Sequence, residues 1–165
     1  MKRRMTLSKD KQIFNTAFDV GMRILFILNT GNKSIDLQSL VYFDYFLIHS
    51  GDIKNGPKSL HPKLPFSSGE ILTRRELVKD GLHMMYAKNL INIVPRKSGI
   101  YYKKSALTTS FIDLQIKTNY VNKLAVRAKW VYDNFASFSE AKLQKYVHEN
   151  FEEMRVELIS TKNEK

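Results

Sequence analysis

Apolar residues recur at helical spacing near the start of the chain. Between Asp10 and Asn29 they repeat every three or four positions, and Gly31 follows as a residue type that commonly ends a helix. Asp36 is a favourable N-cap for a second apolar pattern, which continues to near Gly51. The sequence therefore predicts two core helices, and it assigns the aromatic residues of the second helix mainly to the core.

A segment rich in proline and glycine separates these helices from a third. Residues 51–68 contain three of the chain's four prolines, so neither a helix nor a strand can continue through them. Ser67 or Ser68 is then placed to cap a helix that ends near Asn89. Basic residues surround the apolar stripe of this helix, which makes its outer surface positively charged.

The segment after the third helix has strand character. Residues 90–94 are apolar and rich in β-branched side chains, a turn-like stretch follows, and residues 100–103 resume a strand. This pattern predicts a short β-hairpin with Arg96 and Lys97 at its tip. With a small extra strand at Ile35, the order of elements is that of a winged helix-turn-helix. The predicted fold is therefore mainly α (α+β), with a winged-helix core and a hairpin wing.

Further helical patterns follow the hairpin. Ser105 is placed to cap a helix that ends near Lys117, and residues 120–135 and 140–158 predict two more helices. We expect one domain. Its predicted parts are an N-terminal tail (1–9), a winged-helix core (10–104) with the long loop (51–68), a helical C-terminal extension (105–158) and a frayed tail (159–165).

The positive charge of the chain is concentrated in its middle. Lys54 to Lys104 holds eleven Lys and Arg against three acids, a local excess of eight within a total net charge of +11. Such a cluster favours a polyanionic partner, with nucleic acid first and an acidic protein as the alternative. The candidate DNA-contacting residues are Arg74, Lys79, Lys88, Arg96, Lys97, Lys103 and Lys104.

Two features favour contacts with the DNA backbone over reading of the bases. The connection between the second and third helices is far longer than the three or four residues of a compact helix-turn-helix. Arg75 also lies beside the apolar stripe, where we expect a carboxylate such as Asp44 to tie it into the fold. These residues are therefore predicted to position DNA more than to recognise a sequence.

The sequence lacks the residues that several classes of function require. The chain has no cysteine, its four histidines lack the spacing of metal ligands, and no glycine-rich phosphate loop is present. We therefore expect no cofactor and no metal. Charged residues interrupt each apolar stretch that could serve as a signal peptide or membrane span, so we expect no membrane contact and a cytoplasmic location.

One weak enzymatic pattern remains. Asp44 followed by Asp52 and Lys54 resembles the acid, acid, lysine spacing of nucleases that hold magnesium beside the scissile phosphate. That chemistry normally lies on a β-hairpin, whereas Asp44 falls in a predicted helix and Asp52 in a loop. A weak nuclease is therefore the least favoured hypothesis, and we expect a protein that is not an enzyme.

Several short motifs resemble a known family. They are Phe43-Asp44-Tyr45, His49-Ser50-Gly51-Asp52, Ser59-Leu60-His61-Pro62, Ser68-Gly69-Glu70, Arg74-Arg75-Glu76-Leu77 and Gly81-Leu82-His83-Met84-Met85. Together they resemble the middle component of ABC-three-component systems, a group that includes the C subunit of Lamassu-type antiphage defence. The resemblance spans approximately residues 13–138. It implies a small non-catalytic subunit that works with an SMC-like coiled-coil ATPase and an effector, often a nuclease, and that helps to clamp DNA.

The polar residues of these motifs concentrate around the long loop and the helix that follows it. We predict that they organise the loop or dock a partner, and that the loop is therefore rigid. These residues are His49, Asp52, His61, Glu70 and Arg75, with Ser59 and Arg74 beside them.

A stand-alone winged-helix transcriptional regulator is the alternative hypothesis. Such a protein needs a dimer interface that places two recognition helices one DNA turn apart. The C-terminal helices offer the apolar residues for it, namely Leu124, Val131, Leu143, Val147 and Phe151.

Overall fold

The computed structural model describes residues 16–61 and 70–151, and the side chains of the second range from Arg74 onward. This part of the chain is mainly helical, with a small three-stranded antiparallel sheet. The helices are α1 (Ala17–Asn29), α2 (Leu37–Ile48), α3 (Glu70–Ala87), α4 (Thr108–Gln115), α5 (Asn119–Phe135) and α6 (Glu140–Asn150). The strands are β1 (Ile35–Asp36), β2 (Ile91–Arg96) and β3 (Gly99–Lys104).

The first helix begins later than its apolar pattern predicts. Thr16 has extended backbone and accepts a hydrogen bond from the Asp19 amide, while the Asp19 carboxylate accepts one from the Thr16 amide. This reciprocal capping box starts α1 at Ala17 and not at Asp10. Residues 10–15 lie outside the described part of the chain, as do the predicted caps Ser67 and Ser68 of α3.

Helices α1 and α3 cross at two glycines. A β-carbon on Gly81 would lie 2.7 Å from the carbonyl oxygen of Ala17 and 2.7 Å from the amide nitrogen of Gly21. A β-carbon on Gly21 would in turn lie 2.9 Å from the Gly81 carbonyl oxygen. Only glycine permits this close approach of two backbones. The crossing fixes the position of α3 on the core.

The sheet confirms the predicted hairpin and the extra strand at Ile35. Strand β1 pairs with β3, with Ile35 opposite Tyr102, and β3 pairs with β2. The predicted tip needs correction, because Arg96 lies within β2 and pairs with Gly99. The turn consists of Lys97 and Ser98, and Gly99 follows it with a φ of +136° that side chains disfavour.

The C-terminal helices differ from their predictions at two ends. Ser105 does not begin a helix directly: α4 starts at Thr108, and the Ser105 amide donates to the Thr108 hydroxyl. Helix α5 lies where its pattern predicts it. Helix α6 is capped by Ser139, but it ends at Asn150 because Phe151 leaves the helical conformation. The end predicted near Leu158 is therefore wrong for this helix.

The residues proposed as a dimer interface belong to the core of the chain itself. Phe135 of α5 contacts Phe43 and Phe46 of α2, and Phe46 stacks on Phe151 at 5.7 Å between ring centroids. The predicted interface residues are all buried within the single chain, namely Leu124, Val131, Leu143, Val147 and Phe151. That interface is therefore wrong, since these side chains already pack against α1 and α2.

Candidate nucleic-acid interface

A buried carboxylate joins the first three helices. Asp44 of α2 accepts from Arg23 of α1, with 2.5 Å from Nε to Oδ1 and 3.0 Å from Nη2 to Oδ2. Its Oδ2 also accepts from Nη1 of Arg74 on α3 at 2.7 Å. Asp44 is fully buried, and both arginines are buried with it. We call these three residues the Asp44 centre.

The Asp44 centre is a structural ion cluster. Burial alone would raise the pKa of Asp44, but the charges of Arg23 and Arg74 and their hydrogen bonds hold it below its ordinary value. Both carboxylate oxygens are occupied by guanidinium groups, so Asp44 offers no free oxygen to magnesium. The nuclease-like spacing is therefore explained by packing.

The geometry corrects the predicted roles of two neighbouring arginines. Arg74, a predicted DNA contact, is the arginine that pairs with Asp44, and its guanidinium carbon lies 5.4 Å from the centroid of the Tyr45 ring. Arg75, expected to meet Asp44, instead donates to the side-chain oxygen of Gln38. Arg74 is therefore withdrawn from the DNA-contacting set, because its charge is neutralised inside the protein.

The described part of the long loop is fastened to α2 and α5. The carbonyl oxygen of Ile48 accepts from the amides of both Leu60 and His61, at 3.0 and 3.1 Å. The guanidinium of Arg127 on α5 donates to the Lys58 carbonyl oxygen at 2.7 Å from Nη2. The Ser59 hydroxyl accepts from the Gly51 amide at 2.9 Å. These contacts hold residues 49–61 in one conformation against two helices.

Three predicted loop-organising residues take part in this arrangement. The His61 ring nitrogen Nε2 lies 3.0 Å from the Tyr120 hydroxyl, so it ties the loop to the start of α5. His49 packs on the Tyr45 ring, and Asp52 accepts from the Tyr45 hydroxyl at 3.4 Å. The side chain of Glu70 lies outside the described part of the structure.

His49 is held in its neutral form. Burial lowers its pKa from 6.5 to about 4, and the positive charge of Arg74 acts in the same direction. Burial also lowers the pKa of His61, again helped by a nearby arginine. The loop therefore depends on two imidazoles that remain uncharged at neutral pH.

Two lysines lie on α3 or directly after it. The Lys79 ammonium lies 3.5 Å from the Glu76 carboxylate, a weak surface pair. Lys88 is exposed near the end of the helix. These two residues keep a positive surface on α3, although it carries less free charge than the sequence suggests.

The hairpin has two chemically different faces. Successive residues of a strand point to opposite faces, and the register places Arg96, Val94, Tyr101 and Lys103 on one of them. The other face carries Ile91, Ile93, Pro95, Ile100 and Tyr102. Lys104 points away from the basic face and donates to the Asn29 carbonyl oxygen at the end of α1, at 3.4 Å. Lys97 stays exposed in the turn.

Arg96 is positioned by two neutral groups. Its Nη2 donates to the Ser34 hydroxyl at 2.5 Å, and its guanidinium carbon lies 4.6 Å from the centroid of the Tyr101 ring. The Tyr101 hydroxyl is itself 2.9 Å from the hydroxyl of Ser98. No carboxylate among the described residues pairs with this arginine, so its charge is available.

A shallow cleft opens between the basic face of the hairpin and the residues that precede β1. It has a volume of about 300 Å³ and is lined by Asn32, Lys33, Ser34, Val94, Arg96 and Lys103. We call these six residues the hairpin cleft. Lys33 and Ser34 lie outside the basic stretch, so the clustering of charge did not identify them. The predicted extra strand at Ile35 was the signal that could have found them, because its pairing with the hairpin brings them beside Arg96.

Two kinds of feature are lacking in the part of the chain that is described. Within residues 16–61 and 70–151, no group of three or more potential ligand side chains is arranged to hold a metal ion. Over the same ranges, no helix has both the length and the apolar character needed to cross a membrane.

A comparison with known families identifies the family of this chain. The family model described as ABC-three component (ABC-3C) system Middle Component 2 matches residues 13–157. The chain therefore belongs to the Middle Component 2 family, and it is a component of a multi-subunit system. No curated protein and no solved structure matches the chain.

Proposed function

We propose that this protein is a non-catalytic accessory subunit of a bacterial antiphage defence complex. In this proposal it bridges an SMC-like coiled-coil ATPase and an effector nuclease in the cytoplasm, and it adds basic surface where the complex clamps DNA. Family membership supports a role inside an assembly. The observation that carries the DNA contact is the hairpin, where Arg96, Lys97 and Lys103 have no acidic partner among the described residues.

The topology supports a winged-helix assignment for residues 17–104. The order α1, β1, α2, α3, β2, β3 and the sheet order β1-β3-β2 are those of a winged helix. In that arrangement the hairpin serves as a wing and contacts the DNA backbone, while α3 lies beside it. The cations of α3 and the wing would then make positioning contacts with phosphates.

The fastened loop supports a separate surface for the partner subunits. Residues 49–61 are held by backbone hydrogen bonds to α2 and by Arg127, so they can meet a partner without losing much conformational entropy. His61 and Asp52 lie on this segment. Partner docking and DNA contact would thus use different parts of the molecule.

Charge reversal on the wing tests the proposal. Arg96→Glu combined with Lys97→Glu should weaken DNA binding by the assembled complex roughly tenfold or more at low salt, because phosphate contacts are lost and repulsion is added. The slope of log affinity against log salt should become shallower by about two. Fluorescence anisotropy with a labelled duplex measures both, and size-exclusion chromatography should show intact assembly.

The matched control places the same change of charge elsewhere. Lys129→Glu with Lys145→Glu reverses two exposed lysines on α5 and α6 that already pair with Asp133 and Glu149. This variant should leave DNA affinity within about twofold of the parent protein. Equal loss in both variants, or no loss in the wing variant, contradicts a DNA-contacting wing.

The non-catalytic role has its own test. Asp52→Ala should leave the nuclease activity of the assembled complex unchanged, because the proposed catalytic residues belong to the effector. Loss of cleavage with normal assembly and normal DNA binding would show that this subunit contributes to the chemistry.

A further inference from the structure

The geometry points to the hairpin cleft as a preformed site for one phosphate group of the DNA backbone. In this inference, which rests on the proposed function, the guanidinium of Arg96 binds the phosphate, while Lys33 and Lys103 flank it. Ser34 and Tyr101 are positioning residues for Arg96. The broadly basic surface would then contain one defined site with a single ligand.

The charges that line the cleft favour an anion. Three of its six lining residues are cations, from the segment before β1 and from both strands of the hairpin, and none is acidic. None of these three cations forms an ion pair within residues 16–61 and 70–151. Like charges held together in a concave surface repel one another until an anion enters, so a phosphate would relieve the repulsion.

Arg96 is held in place without being neutralised. Its contacts are the Ser34 hydroxyl and the Tyr101 ring, and both partners are uncharged. The hydrogen bond to Ser34 uses one of several N–H donors of the guanidinium, so the remaining donors are free for a ligand. A guanidinium matches two phosphate oxygens at once, and fixing it beforehand reduces the entropy lost on binding.

The opposite wall of the cleft is also anchored. The amide of Lys33 donates to the hydroxyl of Tyr132 on α5 at 3.1 Å, which fixes the segment before β1 against the helical core. Pairing of Ile35 with Tyr102 then sets this segment beside the hairpin. The cleft is therefore built from two walls that are each attached to the rest of the fold.

The shape of the cleft favours a backbone phosphate over a base. At about 300 Å³ it lies at the lower end of the range for small-molecule sites. It has one aliphatic lining residue, Val94, and no aromatic lining residue on which a base could stack. The expected contact is independent of DNA sequence.

Charge-preserving substitutions distinguish this site from general electrostatic attraction. Arg96→Lys, Ser34→Ala and Tyr101→Leu leave the net charge unchanged, and binding of the assembled complex to a labelled duplex is compared with that of the parent. We expect Arg96→Lys to weaken binding roughly three- to tenfold, because a lysine cannot bind two oxygens with a planar fork. Ser34→Ala and Tyr101→Leu should weaken it about two- to fivefold, with an unchanged salt slope.

Lys97→Gln provides the contrasting control. Lys97 does not line the cleft, and its loss should reduce the salt slope by about one while Arg96 stays positioned. If all three charge-preserving variants bind as the parent does, the cleft inference fails although the wing still contacts DNA. If the double reversal at Arg96 and Lys97 also has no effect, the proposed function fails as well.

An NMR experiment identifies the source of the phosphate. The side-chain Nε resonance of Arg96 is followed by ¹⁵N NMR in the full chain, with duplex DNA, ATP or inorganic phosphate added at matched ionic strength. A shift with duplex that exceeds those with ATP and phosphate supports the inference. A larger shift with ATP, or no shift with any of the three at low salt, overturns it.

Discussion

The Asp44 centre and the hairpin cleft each hold an arginine, but in opposite electrostatic environments. Arg74 and Arg96 each lie over a tyrosine ring, Tyr45 and Tyr101, and each donates a hydrogen bond to an oxygen. The oxygen belongs to a buried carboxylate for Arg74 and to a neutral serine hydroxyl for Arg96. The first arginine therefore stabilises the fold, whereas the second keeps a charge that a ligand can use.

This difference shows why a local excess of basic residues is an incomplete guide to a binding surface. The middle of the chain is strongly basic, but part of its charge is neutralised internally by Asp44 and weakly by Glu76. Lys33, which lies outside the basic stretch, joins Arg96 in the cleft through strand pairing. Free charge, and not total charge, distinguishes the two regions.

The largest expected effect comes from removing the shared carboxylate. Asp44→Asn leaves two buried arginines without a counterion and should lower the free energy of unfolding by about 3–5 kcal/mol. Urea denaturation followed by circular dichroism measures the change. As a control, Asp133→Asn breaks an exposed pair on α5 and should cost less than about 1 kcal/mol. Equal effects of the two variants would contradict a structural role for the Asp44 centre.

The close crossing of α1 and α3 should be the next most sensitive feature. Gly81→Ala places a methyl group 2.7 Å from backbone atoms of α1, so α1 and α3 must separate. We expect a loss of about 2 kcal/mol in unfolding free energy despite the better helix propensity of alanine.

The neighbouring exposed residue Asp80 supplies the control for the glycine substitution. Asp80→Ala should change the free energy of unfolding by less than about 0.5 kcal/mol. A Gly81→Ala protein that is as stable as the parent would mean that the two helices do not approach so closely.

Acid should weaken the loop beside the Asp44 centre. The folded protein protonates His49 only near pH 4, whereas the unfolded chain does so near pH 6.5. The unfolded state therefore binds the extra proton first, and stability falls as the pH decreases through this window. The expected loss is on the order of 1–3 kcal/mol, and His49→Gln should reduce it, as measured by urea denaturation from pH 7.5 to 4.5.

A second histidine variant isolates this effect. His83 is exposed on α3, and His83→Gln should retain the full dependence of stability on pH. If both variants behave like the parent protein, the loss at low pH arises from other groups.

The smallest expected effect comes from a direct comparison of the two arginines. Arg96→Met should change the free energy of unfolding by less than about 0.5 kcal/mol while it weakens DNA binding roughly tenfold. Arg74→Met leaves Asp44 paired with Arg23 and should do the reverse, with lower stability and unchanged DNA affinity of the folded protein. Loss of DNA affinity in folded Arg74→Met would remove the distinction between the regions.

Local sequence signals predicted most of the framework. Asp36 caps α2 as its residue type and position indicated, and the β-branched run before Pro95 forms a strand of the hairpin. The ends of the helices were harder to predict. The capping box at Thr16 starts α1 inside a continuous apolar pattern, and α6 ends where the Phe151 ring packs on Phe46. Both ends depend on contacts that periodicity does not encode.

The candidate site was predictable only in part. Arg96 and Lys103 were identified by charge and by their place in the hairpin, but the choice between Arg74 and Arg75 as the partner of Asp44 depends on the rotation of α3 about its axis. The glycine crossing at Gly21 and Gly81 fixes that rotation. Neutralisation of individual charges is a property of tertiary packing, so composition cannot reveal it.

The position of Asp44 between two arginines has a consequence for how the chain folds. Arg23 precedes it by 21 residues and Arg74 follows it by 30, and neither guanidinium can leave water cheaply before the carboxylate is in place. We therefore expect the three helices to dock cooperatively, because a partly assembled pair would keep a charged side chain at its surface. The Asp44 centre therefore disfavours compact states in which α3 has not yet packed against α1 and α2.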